Sequence, residues 1–285
     1  MAKIGVFDSG YGGLTILSEI RRVLPEYDYL YLGDNARAPY GTHSFDVIYR
    51  YTLQAVEYLL SQDCALVILA CNTASAKALR TIQQRDLPKI NQQSRRVNVL
   101  GVIRPTVEAV PAISQTGHVG ILATPATVSS ESYVLELEKI SEGLRETGDG
   151  LQVTQQACPM WVPLIEAGEH ESDGAEFFVD KYLRELLGKD PEIDTLVLGC
   201  THYPLLAAKI SRQLSAISSR PIRIISQGSL VADSLKDYLQ RHPEYRDQLS
   251  HGGSCRYLTT ENADRFAQSA SLFLDQSVCA AHIDL

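Results

Sequence analysis

Two cysteines stand out because each one follows an apolar run and precedes small hydrogen-bonding residues. Cys71 comes after Leu-Val-Ile-Leu-Ala and before Asn-Thr, and Cys200 comes after Leu-Val-Leu-Gly and before Thr-His. Runs rich in Val, Ile and Leu are typical of buried parallel strands. Open α/β sheets bind their ligands at the carboxyl ends of such strands. The pattern therefore predicts one thiol at a strand end in each half of the chain.

Two of the chemistries open to these thiols use the pair poorly. A metal site could draw on Cys71, Cys200 and His202, but structural zinc takes four ligands and catalytic zinc usually has three with tight local spacing. A thiol nucleophile with a histidine base could use Cys200 and His202, which would point to one face of a continuing strand. That second arrangement leaves Cys71 without a role.

A third chemistry uses both thiols. If two sheets face each other across a cleft, a thiolate on one side removes a proton from carbon and a thiol on the other side delivers one, which gives the mirror image. A thiol with the usual pKa of ~8.5 is only slightly ionised at neutral pH, so its surroundings must tune it. Asp8 and His202 are residue types that could assist.

A glycine turn lies between the first predicted strand, residues 3–7, and a helix from about residue 14. Its sequence, Asp-Ser-Gly-Tyr-Gly-Gly, offers backbone N–H groups that suit an anion. It is not a nucleotide fingerprint, because Thr15 stands where the third glycine of GxGxxG belongs and no Gly-Lys-Ser/Thr follows. The Asp8-Ser9 pair at the strand's end favours a role in the site.

Strands and helices are predicted to alternate almost throughout the chain. The remaining predicted strands are 27–32, one ending before Cys71, 97–103, 119–122, 151–157, one ending before Cys200, 223–226 and 256–258. The remaining predicted helices are 44–60, 74–84, one after Pro105, 129–146, 161–166, 174–187, 204–214, 230–240 and 263–274, with a break at 148–150. This order implies parallel sheets with helices on both faces, and a first domain crossing near residue 98.

Composition excludes several function classes. A net charge of −8 with no block of Lys and Arg argues against binding a nucleic-acid backbone. The first residues lack the charged and apolar regions of a signal peptide, and no apolar run approaches the ~18 residues of a membrane helix. We therefore expect a cytoplasmic protein that binds no membrane, with its six cysteines as free thiols.

Five motifs together resemble the cofactor-independent, two-cysteine glutamate racemase family over nearly the whole chain. The motifs are Phe7-Asp8-Ser9-Gly10-x-Gly12-Gly13-Leu14, Pro39-Tyr40-Gly41, Ala70-Cys71-Asn72-Thr73-Ala74, Gly120-Ile121-Leu122-Ala123-Thr124 and Leu198-Gly199-Cys200-Thr201-His202-Tyr203-Pro204-Leu205. Each motif alone is moderately specific, and all five in this order are highly specific.

The resemblance implies two similar three-layer α/β domains with mainly parallel sheets and the active site in the cleft between them. The first domain would comprise 1–98 and 226–285, and the second 99–225. The reaction implied is reversible interconversion of L- and D-glutamate without a cofactor or metal, supplying D-glutamate for peptidoglycan, in an enzyme that is commonly a homodimer.

The resemblance also implies roles for individual residues. Cys71 would deprotonate the D-isomer and Cys200 the L-isomer. Asp8 and His202 would be the polar partners of the thiols, and Glu166 matches a further acidic position. The residues implied to hold the substrate are Asp8, Ser9, Pro39, Tyr40, Gly41, Asn72, Thr73, Thr124, Thr201 and His202.

Some alternatives stay open. Aspartate racemase shares the two-thiol architecture, although Cys-Thr-His together with Pro-Tyr-Gly favours glutamate. A binding protein that keeps a dicarboxylate in the cleft is a different class of function, and the presence of both cysteines argues against it. Tyr11 and Arg104 depart from the family pattern and leave the oligomer geometry open. The simpler interpretation of Asp34 is a turn cap, although it follows a strand near the predicted cleft.

Overall fold

The chain divides into two compact units in a computed structural model that describes residues 1–93, 96–144, 150–274 and 276–285. Unit 1 comprises Met1–Val102 and Gly228–Leu285, and unit 2 comprises Ile103–Gln227. The chain thus leaves unit 1 once and returns to it once. In the described part of the chain, no helix is long and apolar enough to cross a membrane.

The strands are numbered in chain order. They are β1 (Lys3–Asp8), β2 (Tyr29–Gly33), β3 (Cys64–Leu69), β4 (Asn98–Gly101), β5 (His118–Ala123), β6 (Gln152–Ala157), β7 (Thr195–Gly199), β8 (Arg223–Ile225), β9 (Cys255–Thr259) and β10 (Ala280–His282).

The helices are numbered in the same way. They are α1 (Gly13–Val23), α2 (Phe45–Ser61), α3 (Asn72–Lys77), α4 (Leu79–Thr81), α5 (Leu87–Gln93), α6 (Ile103–Ile113), α7 (Pro125–Ser129), α8 (Ser132–Leu144), α9 (Trp161–Glu166), α10 (Asp173–Lys189), α11 (Ala207–Ile217), α12 (Gln227–Arg241), α13 (Pro243–Arg246) and α14 (Ala263–Ala270). Short 3-10 turns span Asn35–Arg37, Tyr40–Thr42 and Tyr203–Leu206, and a π-helical turn spans Ile82–Asp86.

The sheet of unit 1 has the order β10-β9-β2-β1-β3-β4, and every pairing in it is parallel. The central strands β2 and β3 are buried along their whole length, which matches their continuous apolar runs. Because β1 lies between β2 and β3, the carboxyl ends of these three strands lie side by side at one edge of the sheet.

The sheet of unit 2 has the order β6-β5-β7-β8, and it is also parallel throughout. Strand β7 is buried along its whole length, and β5 is buried after its first residue. The two strands end together, because Ala123 is the register partner of Gly199. Residues that follow β5 and β7 therefore begin next to each other.

Two predicted helices differ from the structure, and the short elements α13 and β10 were not predicted. The predicted helix 74–84 begins earlier, at Asn72, because Cys71 caps it, and it continues through the π-helical turn into α5. The predicted helix 129–146 corresponds to α8, which begins later, at Ser132, and it shares only Ser129 with α7, a helix that was not predicted. Glu131 separates α7 from α8 because its φ of 54° is a left-handed conformation that interrupts a helix. The predicted break at 148–150 lies largely outside the described residues.

A loop contact in unit 2 depends on Asp194, which directly precedes β7. Its carboxylate accepts hydrogen bonds from the Ser114 hydroxyl at 2.7 Å, the backbone N–H groups of Gln115 at 2.6 Å and Thr116 at 2.9 Å, and the Thr195 hydroxyl at 2.9 Å. Partial burial alone would raise the pKa of Asp194, but these hydrogen bonds lower it to about 2. The carboxylate thus ties the loop after α6 to the start of β7.

We expect Asp194→Asn to destabilise the protein by about 1–2 kcal/mol near neutral pH, at the lower end of the ~1.5–3 kcal/mol for hydrogen bonds to a charged group because solvent partly screens this carboxylate. Because the pKa of Asp194 is lower in the folded state than in the unfolded state, its ionised carboxylate stabilises the fold above about pH 4. That contribution is lost as the pH falls through the folded-state pKa of about 2. Urea titrations at several pH values measure the difference. Asp237→Asn, which removes an exposed carboxylate paired with Arg241, should cost little, and an equal loss in both variants would contradict the prediction.

Candidate active site

The thiol of Cys71 lies at the carboxyl edge of the unit 1 sheet. Phe7 of β1 is the register partner of Leu69 of β3, and the backbone N–H of Ala70 continues the ladder by donating to the Phe7 carbonyl at 2.8 Å. The residues that follow β1 and β3 are therefore neighbours. Ser9 Oγ and Cys71 Sγ lie 3.3 Å apart as a buried hydrogen-bonded pair.

Cys71 is also the N-cap of α3. Its sulfur accepts a hydrogen bond from the backbone N–H of Ala74 at 3.4 Å. A thiolate gains more from such a donor than a thiol does, because the hydrogen bond is then charge-assisted. Asn72 and Thr73 follow in the first turn of the helix, and both are buried. The predicted Cys-Asn-Thr group is thus held together by the strand-to-helix turn.

Asp8 is buried directly behind the glycine turn. Its Oδ2 accepts the backbone N–H of Gly10 at 3.0 Å, which closes the turn on the side chain. Gly13 starts α1 against Asp8, and a Cβ on Gly13 would stand only 2.5 Å from the Asp8 Cβ. A glycine is therefore required at position 13 for the helix to approach the carboxylate.

Asp34 holds the loop that carries Pro39, Tyr40 and Gly41. The Tyr40 hydroxyl donates to Asp34 Oδ2, and Arg37 Nε lies 2.9 and 2.7 Å from the two carboxylate oxygens. Thr260, which follows β9, donates its hydroxyl to Asp34 Oδ1 at 2.9 Å. Burial and the Asp34 carboxylate raise the pKa of Tyr40.

The interpretation of Asp34 as a turn cap is therefore wrong. Its side chain makes no capping hydrogen bond to the 3-10 turn that it precedes, since its oxygens are engaged by the side chains of Arg37, Tyr40 and Thr260. The sequence contained one signal for this role, namely that Asp34 follows a buried strand directly after Gly33.

Cys200 occupies the corresponding place in unit 2, one residue beyond the end of β7. The side chain is buried, and Sγ lies 3.9 Å from His202 Nδ1, within the longer range of hydrogen bonds that involve sulfur. The strand stops at Gly199, so the predicted geometry of a continuing strand is wrong. Cys200 and His202 meet instead because the chain turns into the 3-10 turn Tyr203–Leu206.

His202 bridges Cys200 and Glu166. Its Nε2 lies 3.0 Å from Glu166 Oε1, and the imidazole is buried while Glu166 remains partly exposed. Burial alone would lower the pKa of His202, but its interactions with Cys200 and Glu166 raise it to about 10. Cys200 and Glu166 thus favour the charged imidazolium form of the ring beside the Cys200 sulfur.

Thr124 and Thr201 complete the predicted set in unit 2. Thr124 directly follows β5, is buried, and caps α7 by accepting the backbone N–H of Thr127 at 3.3 Å. Thr201 is buried between Cys200 and His202. The structure thus gathers Thr124, Cys200, Thr201, His202 and Glu166 around the ends of β5 and β7.

The described residues contain no group of three or more His, Cys, Asp or Glu side chains arranged to hold a metal ion. Cys158, which follows β6, is a buried thiol of unit 2 whose Sγ donates to the Gln156 carbonyl. Burial and the nearby Cys200 raise the pKa of Cys158, which keeps it a neutral thiol.

Comparison with known proteins places the chain in a family. The family model for Asp/Glu/Hydantoin racemases matches residues 14–234. A glutamate racemase of Ruegeria sp. is 40% identical over 285 residues, which cover 96% of this chain and 97% of that protein. The fold and the matched residues define an isomerase of the racemase class. The chain belongs to the Asp/Glu/Hydantoin racemase family, which confirms the resemblance predicted from the motifs.

Solved structures agree with this assignment. The glutamate racemase isoform RacE1 from Bacillus anthracis superposes with a TM-score of 0.84 at 31% identity, covering 100% of this chain and 98% of that one. A glutamate racemase from Francisella tularensis, crystallised with D-glutamate, has a TM-score of 0.82 at 30% identity and covers 100% and 97% of the two chains. The predicted α/β fold with parallel sheets is confirmed.

The raised pKa of His202 generates a testable prediction. We expect the His202 ring to stay protonated at neutral pH and to titrate at about 10. The interactions of the charged ring should stabilise the fold fully below the unfolded-state pKa of ~6.5, and this contribution should be lost as the pH rises through the folded-state pKa. Ring ¹⁵N chemical shifts, assigned by loss of one signal in His202→Asn, measure the titration.

Glu166→Gln should lower the midpoint, because it removes the negative charge at 3.0 Å from Nε2. Glu169→Gln is the matched control, since Glu169 is an exposed residue three positions further along. A midpoint near 7 in the parent protein, or an equal shift in both variants, would disprove the charged arrangement.

The Asp34 network generates a second prediction. We expect Asp34→Asn and Arg37→Gln each to destabilise the fold. The double variant should cost less than the sum by about 0.5–3 kcal/mol, the coupling typical of residues in one ion-pair network. Urea unfolding of the four proteins gives this coupling free energy. A value near zero would show that the pair does not hold the loop.

Proposed function

We propose that this protein interconverts L- and D-glutamate by proton transfer at the α-carbon between two cysteine thiols. One observation carries the proposal. Each unit has a buried cysteine just beyond the end of an inner parallel strand, beside polar side chains suited to tune it, in a chain 40% identical to a glutamate racemase over nearly its full length. Glutamate-bound relatives support this choice of substrate.

In the proposed reaction, a thiolate takes the α-proton from one face of the substrate and a thiol returns a proton to the opposite face. Cys71 would remove the proton from D-glutamate and Cys200 the one from L-glutamate. The C–H bond breaks as the S–H bond forms, and the resulting carbanion takes its new proton from the other thiol. The catalyst then holds its proton on the opposite sulfur, and the reverse reaction restores it.

The polar neighbours have distinct proposed roles. His202, charged at neutral pH, would stabilise the Cys200 thiolate and thereby favour its action as a base. Glu166 would hold the imidazolium in place through its hydrogen bond to Nε2. Asp8 would serve on the Cys71 side, where it is buried at the adjoining strand end.

The remaining predicted residues would bind the substrate. Hydroxyl and amide groups suit the two carboxylates of glutamate, and Asp8 suits the ammonium group. Since the Tyr40 hydroxyl is engaged by Asp34, we propose that its loop contributes backbone groups. The proposed binding residues are Asp8, Ser9, Pro39, Tyr40, Gly41, Asn72, Thr73, Thr124, Thr201 and His202.

We further propose that the reaction needs no cofactor, that it supplies D-glutamate for peptidoglycan synthesis, and that it takes place in the cytoplasm. The protein would act as a homodimer of two-domain subunits divided near residues 98 and 226. The support for these statements is membership in the family, whose relatives match this chain along nearly their whole length.

Replacing either thiol tests the mechanism. We expect Cys71→Ser and Cys200→Ser each to slow racemisation of glutamate by at least about 10³-fold, because general acid–base groups contribute ~10²–10⁴-fold and a serine hydroxyl is a far weaker acid than a thiol. Incubation with L- or D-glutamate in heavy water, followed by optical rotation and α-deuterium, measures the rate. Cys255→Ser changes a partly buried thiol of unit 1 and should behave like the parent.

Other outcomes would redirect the proposal. Racemisation of aspartate and not glutamate by the parent protein would make it an aspartate racemase. Binding of glutamate without turnover would make it a dicarboxylate-binding protein. Full activity in either active-site serine variant would remove that cysteine from the mechanism.

A further inference from the structure

We propose that Tyr133, held by Gln227, is a positioning residue. It fixes the backbone at Gly199, the last residue of β7, and thereby the position of Cys200, which follows. The inference concerns a residue outside the family motifs found in the sequence. It rests on the proposed function in that Cys200 is taken as one of the two proton-transfer groups.

The ring of Tyr133 packs against Gly199, the last residue of β7. A Cβ on Gly199 would lie 3.2 Å from Tyr133 Cε2, 3.0 Å from the Leu122 carbonyl oxygen and 3.2 Å from the Ala123 Cβ. Gly199 is therefore enclosed by β5 on one side and by the Tyr133 ring on another. Because Cys200 is the next residue, the tyrosine ring sets where its backbone begins.

The hydroxyl of Tyr133 is fixed by a buried glutamine. Gln227 Nε2 donates to the Tyr133 hydroxyl oxygen and to Thr106 Oγ1, each at 2.9 Å. All three side chains are buried. Hydrogen bonds in such a setting are stronger than in water and confine the groups that make them. The ring therefore has little freedom to move away from Gly199.

Gln227 also lies where the chain leaves unit 2, and Thr106 lies in the helix by which it enters. The hydrogen bonds of Gln227 consequently connect the first and last segments of unit 2 to Tyr133, which packs against the end of β7 at Gly199. A second observation links Tyr133 to the thiol, since burial and the nearby Cys200 raise the pKa of the tyrosine.

The first test measures Cys200 without requiring turnover. The resting protein is treated with iodoacetamide, and peptide mass spectrometry gives the alkylation rates of Cys200 and Cys71. In Tyr133→Phe we expect the ratio of these rates to fall about three- to tenfold, the change typical when one positioning hydrogen bond is lost. Tyr29→Phe is the matched control, because it removes a buried hydroxyl that donates to the Leu24 carbonyl in unit 1.

The second test separates positioning from loss of folded protein. If Cys200 is placed less well, proton transfer to and from Cys200 becomes slower and limits the rate more strongly. The primary isotope effect on kcat/KM should then rise with α-deuterated L-glutamate, whose deuteron goes to Cys200. It should fall with α-deuterated D-glutamate, whose deuteron goes to Cys71 in the other step. An isotope effect does not depend on the fraction of active enzyme. Tyr29→Phe should leave both isotope effects as they are in the parent.

Gln227→Met provides an independent variant if Tyr133→Phe folds poorly, since it removes the donor and keeps the side-chain length. A Cys200 to Cys71 alkylation ratio equal to or above the parent's in both variants would overturn the inference. If the parent protein does not racemise glutamate, the proposed function fails, while the alkylation ratio still decides whether Tyr133 positions Cys200.

Discussion

The parallel register of the inner strands is the constraint on which the grouping of predicted site residues within each unit depends. Strands that run side by side in the same direction deliver their following residues to one edge, where the backbone no longer pairs and polar side chains are accommodated. Asp8 and Cys71 come together because β1 pairs with β3, and Thr124 and Cys200 because β5 pairs with β7. A shift of one residue in either register would turn the side chains of that strand to the opposite faces of the sheet, and the residues that follow the strand would no longer end beside the same neighbours.

The sequence was sufficient for the strand ends because the signal for them is local. A buried parallel strand is a continuous apolar run, and the polar residues that follow it mark its carboxyl end. Contacts between distant residues have no such signal. Asp34 and Thr260 are 226 residues apart in the sequence and are joined by a hydrogen bond. Glu166, at the end of α9, contacts His202, which is 36 residues further along the chain. The family resemblance indicated Glu166, whereas Thr260 and Tyr133 matched no motif that the sequence offered.

The elements that the sequence patterns missed have two causes, a local change of backbone conformation in one case and a very short segment in the other. The apolar spacing after residue 129 continues a helical pattern past Glu131, so the interruption there cannot be seen in hydrophobic periodicity. Strand β10 has three residues at the edge of its sheet. A segment of this length contains too few alternations to distinguish a strand from a loop. Its pairing with β9 depends on tertiary packing that the local sequence does not encode.

The two thiols have different surroundings, and the proposed reaction limits what that difference can do. Cys71 lies beside a hydroxyl and a backbone amide, whereas Cys200 lies beside a charged imidazole. L- and D-glutamate are mirror images with equal free energies in water, so the ratio of kcat/KM in the two directions must equal one whatever the protein does. The asymmetry can therefore make the two directions differ only by an equal factor in kcat and in KM, and this factor depends on which protonation state of the free enzyme predominates. An imidazolium beside Cys200 favours the state in which that sulfur is the thiolate, which in the proposed reaction is the state that would accept the L-isomer.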